Sequence, residues 1–141
     1  MTALCCAFML SLSTAGRAQS AASCPGGLTG AWRTTISEFD AQRYGQGPDV
    51  VGRWSLDVTR CRLTLRHFGS LVDRAQLAGQ MLWSGKGALQ MSNDARCLGR
   101  GVLNRYFIQL RSGTLRFDLA PQGPGRVCGA RRALIIKAWH R

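Results

Sequence analysis

The sequence predicts an all-β fold, a single antiparallel up-and-down β-barrel of about eight strands. Three observations lead to this prediction. Apolar and polar residues alternate with a period of two along most of the chain, turn-forming residues separate the alternating segments, and no helical periodicity is sustained for about ten residues. Strands with one apolar and one solvent-exposed face need only one hydrophobic core. Closing such strands into a barrel leaves no sheet edge exposed.

The clearest alternation lies in Trp54–Val58 and Cys61–Arg66, which we expect to pair as an antiparallel hairpin that turns at Thr59–Arg60. The side chains expected on its wet face are Arg53, Ser55, Asp57, Arg62, Thr64 and Arg66. One face of this hairpin is therefore polar and rich in arginine.

Six further segments have the pattern of strands, with turn-forming residues between them. They are Ala31–Ile36, Arg74–Trp83, Ala88–Ser92, Arg105–Leu110, Leu115–Leu119 and Ala133–Trp139. The last segment is apolar on both faces at its start, so we expect another element to cover its outer face. Ser37–Arg43 is predicted to be a short helix with Ser37 as its N-cap.

An apolar segment, Ala3–Leu10, lies near the start of the chain, and small residues follow it as far as Ala22. Its length matches the apolar region of a signal peptide and is too short to span a bilayer. We therefore expect residues 1–22 to be a cleaved signal peptide and residues 23–141 to form one domain, with a periplasmic or secreted location. No later segment is apolar for long enough to cross a membrane, so the protein is not expected to be transmembrane.

The four cysteines that follow the predicted leader are Cys24, Cys61, Cys97 and Cys128. An even number of well-separated cysteines is typical of exported domains held by disulfides. We favour sequential pairing, Cys24 with Cys61 and Cys97 with Cys128, in which each bond closes a loop of roughly 30–40 residues and contributes about 3–4 kcal/mol. No Cys-x-x-Cys motif occurs and the two histidines are isolated, so no metal site is predicted.

The formal net charge is +12, and Lys86 and Lys137 are the only lysines among 19 basic residues. Two interpretations remain open. Either a GC-rich genome has spread arginine over a solvated surface, or the protein has an anionic partner such as a membrane surface, an acidic polysaccharide, nucleic acid or an acidic protein. The arginines occur singly and without interleaved aromatic residues, so a specific nucleic-acid module is not predicted.

Candidate catalytic groups are few. Glu38 is the only glutamate, and most of the seven acidic residues stand beside arginines, which favours surface ion pairs over a carboxylate pair for hydrolysis. His67 follows the inward alternation of its strand and is interpreted as a packed or rim histidine. No nucleophile elbow and no phosphate loop occur. We therefore predict no catalytic residue, no cofactor and no enzymatic activity.

Tryptophans lie on four different predicted strands, at Trp32, Trp54, Trp83 and Trp139. Core packing explains such positions, but in a closed barrel they also converge on a pocket for a small ligand. The side chains expected to line that pocket are Trp54, Leu56, Trp83 and Leu110.

Leu28–Thr29–Gly30–Ala31–Trp32 resembles the Gly-x-Trp entry of the calycin barrels: lipocalins, avidins and the small periplasmic metalloprotease inhibitors of bacteria. The resemblance implies that Gly30 and Trp32 close one end of the barrel. It also implies that an arginine of the closing strand packs on the tryptophan, for which the candidates are Arg131, Arg132 and Arg141. No biotin-site pattern and no second lipocalin motif accompany it, so ligand identity does not carry over.

Together these observations predict an exported, non-enzymatic binding protein. A small apolar ligand or a protein partner would bind at the barrel mouth, near the loops Gln42–Asp49 and Gln122–Arg126. One alternative is a basic, envelope-associated structural protein that binds anionic lipid or polysaccharide, with binding that weakens steeply with salt. The other is a periplasmic protease inhibitor that inserts its N-terminal tail, Gln19–Ser23, into an enzyme cleft.

Overall fold

A computed structural model describes residues 26–81, 84–92, 104–121, 126–127 and 129–141. Its eight strands close into one barrel in which each strand pairs antiparallel with its neighbours in sequence and the last pairs with the first. The strands are β1 Gly30–Ile36, β2 Gly52–Thr59, β3 Arg62–His67, β4 Ser70–Met81, β5 Lys86–Met91, β6 Arg105–Arg111, β7 Thr114–Leu119 and β8 Trp139–His140. The helices of the described residues are α1 Glu38–Arg43 and α2 Arg132–Ile136, with 3₁₀ turns at Gly26–Leu28, Pro48–Val50 and Gly129–Arg131. The all-β prediction and the closed antiparallel barrel are confirmed.

Alternation decides which side chains point inward. Along β2, for example, Trp54, Leu56 and Val58 are buried, whereas Arg53, Ser55 and Asp57, which alternate with them, are exposed or half-buried. The inward residues of all the longer strands join one hydrophobic core, which includes Trp32, Ile36, Leu63, Leu65, Leu77, Leu89, Tyr106, Ile108, Leu115 and Phe117. Most outward positions carry polar residues because only the inner face of each strand is buried.

The predicted β2–β3 hairpin is confirmed, but its turn lies one residue later than expected. Thr59 pairs with Arg62, so Arg60 and Cys61 form the turn, with φ values of 49° and 62°. Positive φ at both central residues is the requirement of a type I′ turn, which matches the twist of the strands it joins. Cys61 is therefore a turn residue and not the first residue of a strand.

The predicted strand Ala133–Trp139 is wrong over most of its length. Its first part is helix α2, and only Trp139–His140 forms a strand, β8. Ala133, Leu134 and Ile136 are all buried. A strand with one solvated face cannot bury neighbours such as Ala133 and Leu134 together, whereas a short helix packed on the barrel end can. No helix of the described residues is long and apolar enough to cross a membrane.

Helix α1 forms as predicted. The Ser37 hydroxyl accepts the N–H of Asp40 at 3.1 Å, and the Asp40 carboxylate accepts the N–H of Ser37 at 3.0 Å, so that the two side chains make a capping box. Lys137, just after α2, donates to the same carboxylate at 3.0 Å. This ion pair ties α1 to the C-terminal segment.

Two more ion pairs fasten the segment that carries α2. Arg132 binds Asp49 in the β1–β2 connection, and Arg131, whose side chain is almost fully buried, donates to Asp73 of β4 at 2.5 Å. Arg131 also donates to the Ser92 carbonyl at 2.5 Å. Asp40, Asp49 and Asp73 therefore all form ion pairs at one end of the barrel.

Gly79 of β4 lies where β4 and β5 approach closely, and a Cβ there would overlap the Ala88 carbonyl oxygen and lie 2.7 Å from Leu89 Cα. Because these are backbone atoms that cannot move freely, we expect Gly79→Ala to lower the free energy of unfolding by about 1–3 kcal/mol. Urea denaturation measures this change. Gln80→Ala, at the next and exposed position, is the control and should stay within about 0.5 kcal/mol. Equal losses in the two variants would contradict the packing argument.

The Ser37 N–H, the Lys137 ammonium and the Ser37 hydroxyl lower the pKa of Asp40 from 3.8 to about 2. A folded-state pKa below the unfolded value stabilises the fold above pH 3.8, and this stabilisation is lost as the pH falls towards 2. Asp40→Asn should therefore melt below the parent protein at neutral pH and converge with it near pH 2.

The control for this pH series is Glu38→Gln, which removes a charge from the same helical turn. Among the described residues, the Glu38 side chain makes no hydrogen bond, so at neutral pH Glu38→Gln should lower the melting temperature much less than Asp40→Asn does. Thermal denaturation from pH 7 to pH 2 provides the comparison. A difference between Asp40→Asn and the parent that is constant across this range would contradict the assignment.

Candidate functional site

The residues predicted to line an interior pocket lie mainly in the core. Trp54 and Leu56 are 4% and 0% exposed, and the Trp54 indole donates to the Val50 carbonyl at 2.8 Å. Leu110 is half-buried against the same core, and Trp83 lies outside the described residues. The structure thus brings Trp54 and Leu56 into one packed cluster that also holds Trp32 and Trp139.

The residues predicted to close the barrel, Gly30 and Trp32, stand at one end of it. Gly30 has φ 135°, a conformation that favours glycine, at the first residue of β1. Trp32 is fully buried and donates to the Leu28 carbonyl at 2.9 Å. Of the three candidate arginines it is Arg141 that covers this ring, at 4.6 Å from the ring centroid, and it also donates to the Gly27 carbonyl at 3.0 Å.

Cys61 is the one cysteine within the described part of the chain. It is half-buried in the β2–β3 turn, and it forms no disulfide with another described residue. Cys24, Cys97 and Cys128 lie outside the described residues, so the predicted disulfide pairing stays a prediction.

Of the groups considered for catalysis, His67 is packed against the core. The His67 ring stacks on Trp54, with centroids 4.1 Å apart and planes at 11°, and its Nε2 lies 2.8 Å from the Val51 carbonyl oxygen. Asp40, beside Glu38 in α1, is bound to Lys137. No three His, Cys, Asp or Glu side chains of the described residues are grouped so as to hold a metal ion.

The loops expected at the barrel mouth are only partly described. Within Gln42–Asp49, Gln46 and Asp49 both bind Arg132 of α2. Of the second loop, residues 122–125 lie outside the described part of the chain. The first loop is therefore tied to the helix that covers this end of the barrel.

Several arginines lie on the outer side of the first four strands, and we call this surface the basic face. Its arginines are Arg33 on β1, Arg53 on β2, Arg62 and Arg66 on β3, and Arg74 on β4. Across the sheet, Ser55 pairs with both Arg33 and Arg66. Asp57 is the one carboxylate among the outward residues of β1, β2 and β3, and it binds Arg66 at 2.6 Å. The basic face therefore carries an excess of positive charge.

A cleft of about 600 Å³ lies on the basic face along β1 and β2, and we call it the β1–β2 cleft. Its polar and aromatic lining includes Arg33, Thr35, Arg53, Ser55, Phe68 and His140. No carboxylate lines it, and neither guanidinium has a hydrogen-bond or ion-pair partner among the described residues. Arg33 and Arg53 are diagonal neighbours on paired strands, about 7–8 Å apart at their backbones. Such an arrangement suits an anion that bridges the two arginines.

Two other cavities lie on the outside of the barrel. One, of about 420 Å³, lies on the same basic face between Arg62 and Arg74, beside Thr64 and Gln76. The other, of about 670 Å³, lies on the outer side of β4, β5 and β6. Small residues such as Ala78 and Ala88 form its floor, and its charged residues, Lys86, Arg105 and Asp118, are of both signs. Of these three cavities of the described residues, the two on the basic face are lined by charge of a single sign.

The β1–β2 cleft was not predicted, although the hairpin pattern had placed Arg53, Arg62 and Arg66 on one wet face. Pairing that hairpin with β1 would have added Arg33. No sequence pattern placed His140 in the cleft, because the segment that leads to it was predicted to be a longer strand. Phe68 reaches the cleft from the β3–β4 turn, which the alternation did not locate.

Arg141 should matter to stability because it combines a cation–π contact with a carbonyl hydrogen bond. We expect Arg141→Ala to lower the free energy of unfolding by about 1–2 kcal/mol in urea. Arg111→Ala is the control, since Arg111 is exposed and its side chain has no partner among the described residues. Equal stabilities of the two variants would show that Arg141 does not hold this end of the barrel.

Comparison of the chain with models of protein families, with curated proteins and with solved structures finds no match.

Proposed function

We propose that this chain is a non-enzymatic binding protein that holds an anionic partner on the outer face of its barrel. The observation that carries the proposal is the β1–β2 cleft, where Arg33 and Arg53 converge without a neighbouring carboxylate. An anionic partner is one of the two interpretations of the net charge of +12. The cleft favours it over an evenly solvated surface.

Unpaired arginines side by side have an electrostatic consequence. Like charges at neighbouring sheet positions repel each other and destabilise the fold slightly. An anion between Arg33 and Arg53 would remove this repulsion and form charge-assisted hydrogen bonds with both guanidiniums. The hydroxyls of Thr35 and Ser55 line the same cleft and are suitable donors to further anionic oxygens.

The interior gives less support to the alternative, a small apolar ligand. Trp54 and Leu56, two of its expected contacts, are packed in the core and have almost no exposed surface. A ligand at their position would have to displace core side chains, which is costly in a closely packed interior. A protease inhibitor would depend on Gln19–Ser23, which lie outside the described residues.

We also propose that the barrel is calycin-like, with Gly30 and Trp32 as its closing residues. The stacking of Arg141 on Trp32 supports this, because the same arrangement was expected from the resemblance. Export of residues 23–141 and two disulfides remain part of the proposal. The position of Cys61 in a turn, only half-buried, is compatible with a disulfide.

The test is binding of the purified full chain to heparin, a soluble polyanion, measured by calorimetry at several salt concentrations. We expect affinity to fall steeply with salt, since binding releases counterions, and we expect Arg33→Gln/Arg53→Gln to lower it about tenfold and to reduce the salt dependence.

The matched control is Arg105→Gln/Arg111→Gln on β6, which removes the same charge from exposed positions away from the basic face. This variant should bind nearly as well as the parent. If both variants lose affinity equally, net charge alone explains the binding and the cleft has no special role. Absence of heparin binding in the parent at low salt would refute the proposal.

A further inference from the structure

Three large apolar side chains are exposed together on the β3–β4 hairpin. Phe68 in the turn is 62% exposed, and Leu71 and Val72 at the start of β4 are 47% and 42% exposed. We call these three residues the apolar tip. Single exposed apolar residues are common on protein surfaces, but three large ones within five residues of one hairpin indicate an interaction site.

Phe68 is held in its exposed position by its surroundings. It has φ 49°, which is rare for a bulky residue, and its N–H donates to the Arg53 carbonyl at 2.9 Å. Its ring lies 4.5 Å from the His67 ring, and it covers Gly52, where any Cβ would overlap the phenyl ring. Since His67 stacks on buried Trp54, three aromatic rings run from the core to the surface.

The apolar tip adjoins the basic face. Leu71 pairs with Arg66 across β3 and β4, and Arg53 accepts the backbone hydrogen bond of Phe68. Phe68 itself lines the β1–β2 cleft together with Arg33 and Arg53. Apolar side chains next to arginines match the interface of an anionic bilayer, where acyl chains lie directly below phosphate groups.

We propose that the anionic partner is a phospholipid bilayer, which the basic face contacts while the apolar tip inserts at the level of the headgroups. A lipid phosphate would then occupy the β1–β2 cleft between Arg33 and Arg53. This inference rests on the proposed function, because it uses the same arginines. It differs in requiring Phe68, Leu71 and Val72, which a soluble polyanion would not need.

The experiment is flotation of the full chain with vesicles of phosphatidylcholine alone or of phosphatidylcholine with phosphatidylglycerol. We expect binding only to the anionic vesicles, and we expect Leu71→Ser/Val72→Ser, which leaves the β1–β2 cleft and the aromatic stack intact, to weaken it about tenfold without changing heparin affinity. Phe68→Ser/Leu71→Ser should weaken vesicle binding in the same direction. Phe107→Ser is the control, because Phe107 is an exposed phenylalanine, 41% accessible, on the distant strand β6.

The outcomes separate this inference from the proposed function. If both tip variants bind anionic vesicles as well as the parent does, adsorption is purely electrostatic and the insertion of the tip is refuted. If the parent binds heparin but not anionic vesicles, the partner is a soluble or polymeric anion, and the inference is overturned while the proposed function stands. If it binds neither, both are overturned.

Discussion

The barrel closes through β8, a strand of two residues, and the rest of the structure depends on this short seam. Only Arg33 pairs with His140 on the β1 side, while Thr114 and Leu115 pair with β8 on the other. The contacts around the seam compensate for its length. Trp139 is fully buried and donates to the Leu134 carbonyl at 3.2 Å, and the Thr34 hydroxyl donates to the Ala138 carbonyl at 2.9 Å. The same seam places His140 next to Arg33 and so forms one side of the β1–β2 cleft.

The distribution of the few acidic residues explains why the basic face is left with unpaired charge. Asp40, Asp49 and Asp73 are bound by Lys137, Arg132 and Arg131 around the segment that carries α2. These pairs hold the chain that leads into β8. On the basic face Asp57 neutralises only Arg66. The scarce carboxylates therefore stabilise one end of the barrel, whereas Arg33 and Arg53, which have no ion-pair partner among the described residues, remain available for an external anion.

The barrel could be predicted from the sequence because strands with one buried face require apolar and polar residues to alternate with a period of two. The N-cap at Ser37 could also be predicted, since a serine directly before a helical segment is a local signal. The C-terminal segment was not, because Ala133 to Ile136 is apolar at every position and such a run fits a buried strand and a buried helix equally well. Its packing against the barrel end decided the outcome, and no local signal reports that packing.

The candidate site was partly foreseeable for the same reason. The outward positions of the β2–β3 hairpin follow from its alternation, whereas the cleft forms only when β1, the β3–β4 turn and β8 come together in space. Binding of an anion on the outer face of a barrel whose interior is packed with side chains is tested most directly by an NMR titration of isotopically labelled protein with a sulfated oligosaccharide. We expect the largest shifts at the Nε–H groups of Arg33 and Arg53. The largest shifts at core residues such as Leu56, or around Phe107 on β6, would contradict binding in the β1–β2 cleft.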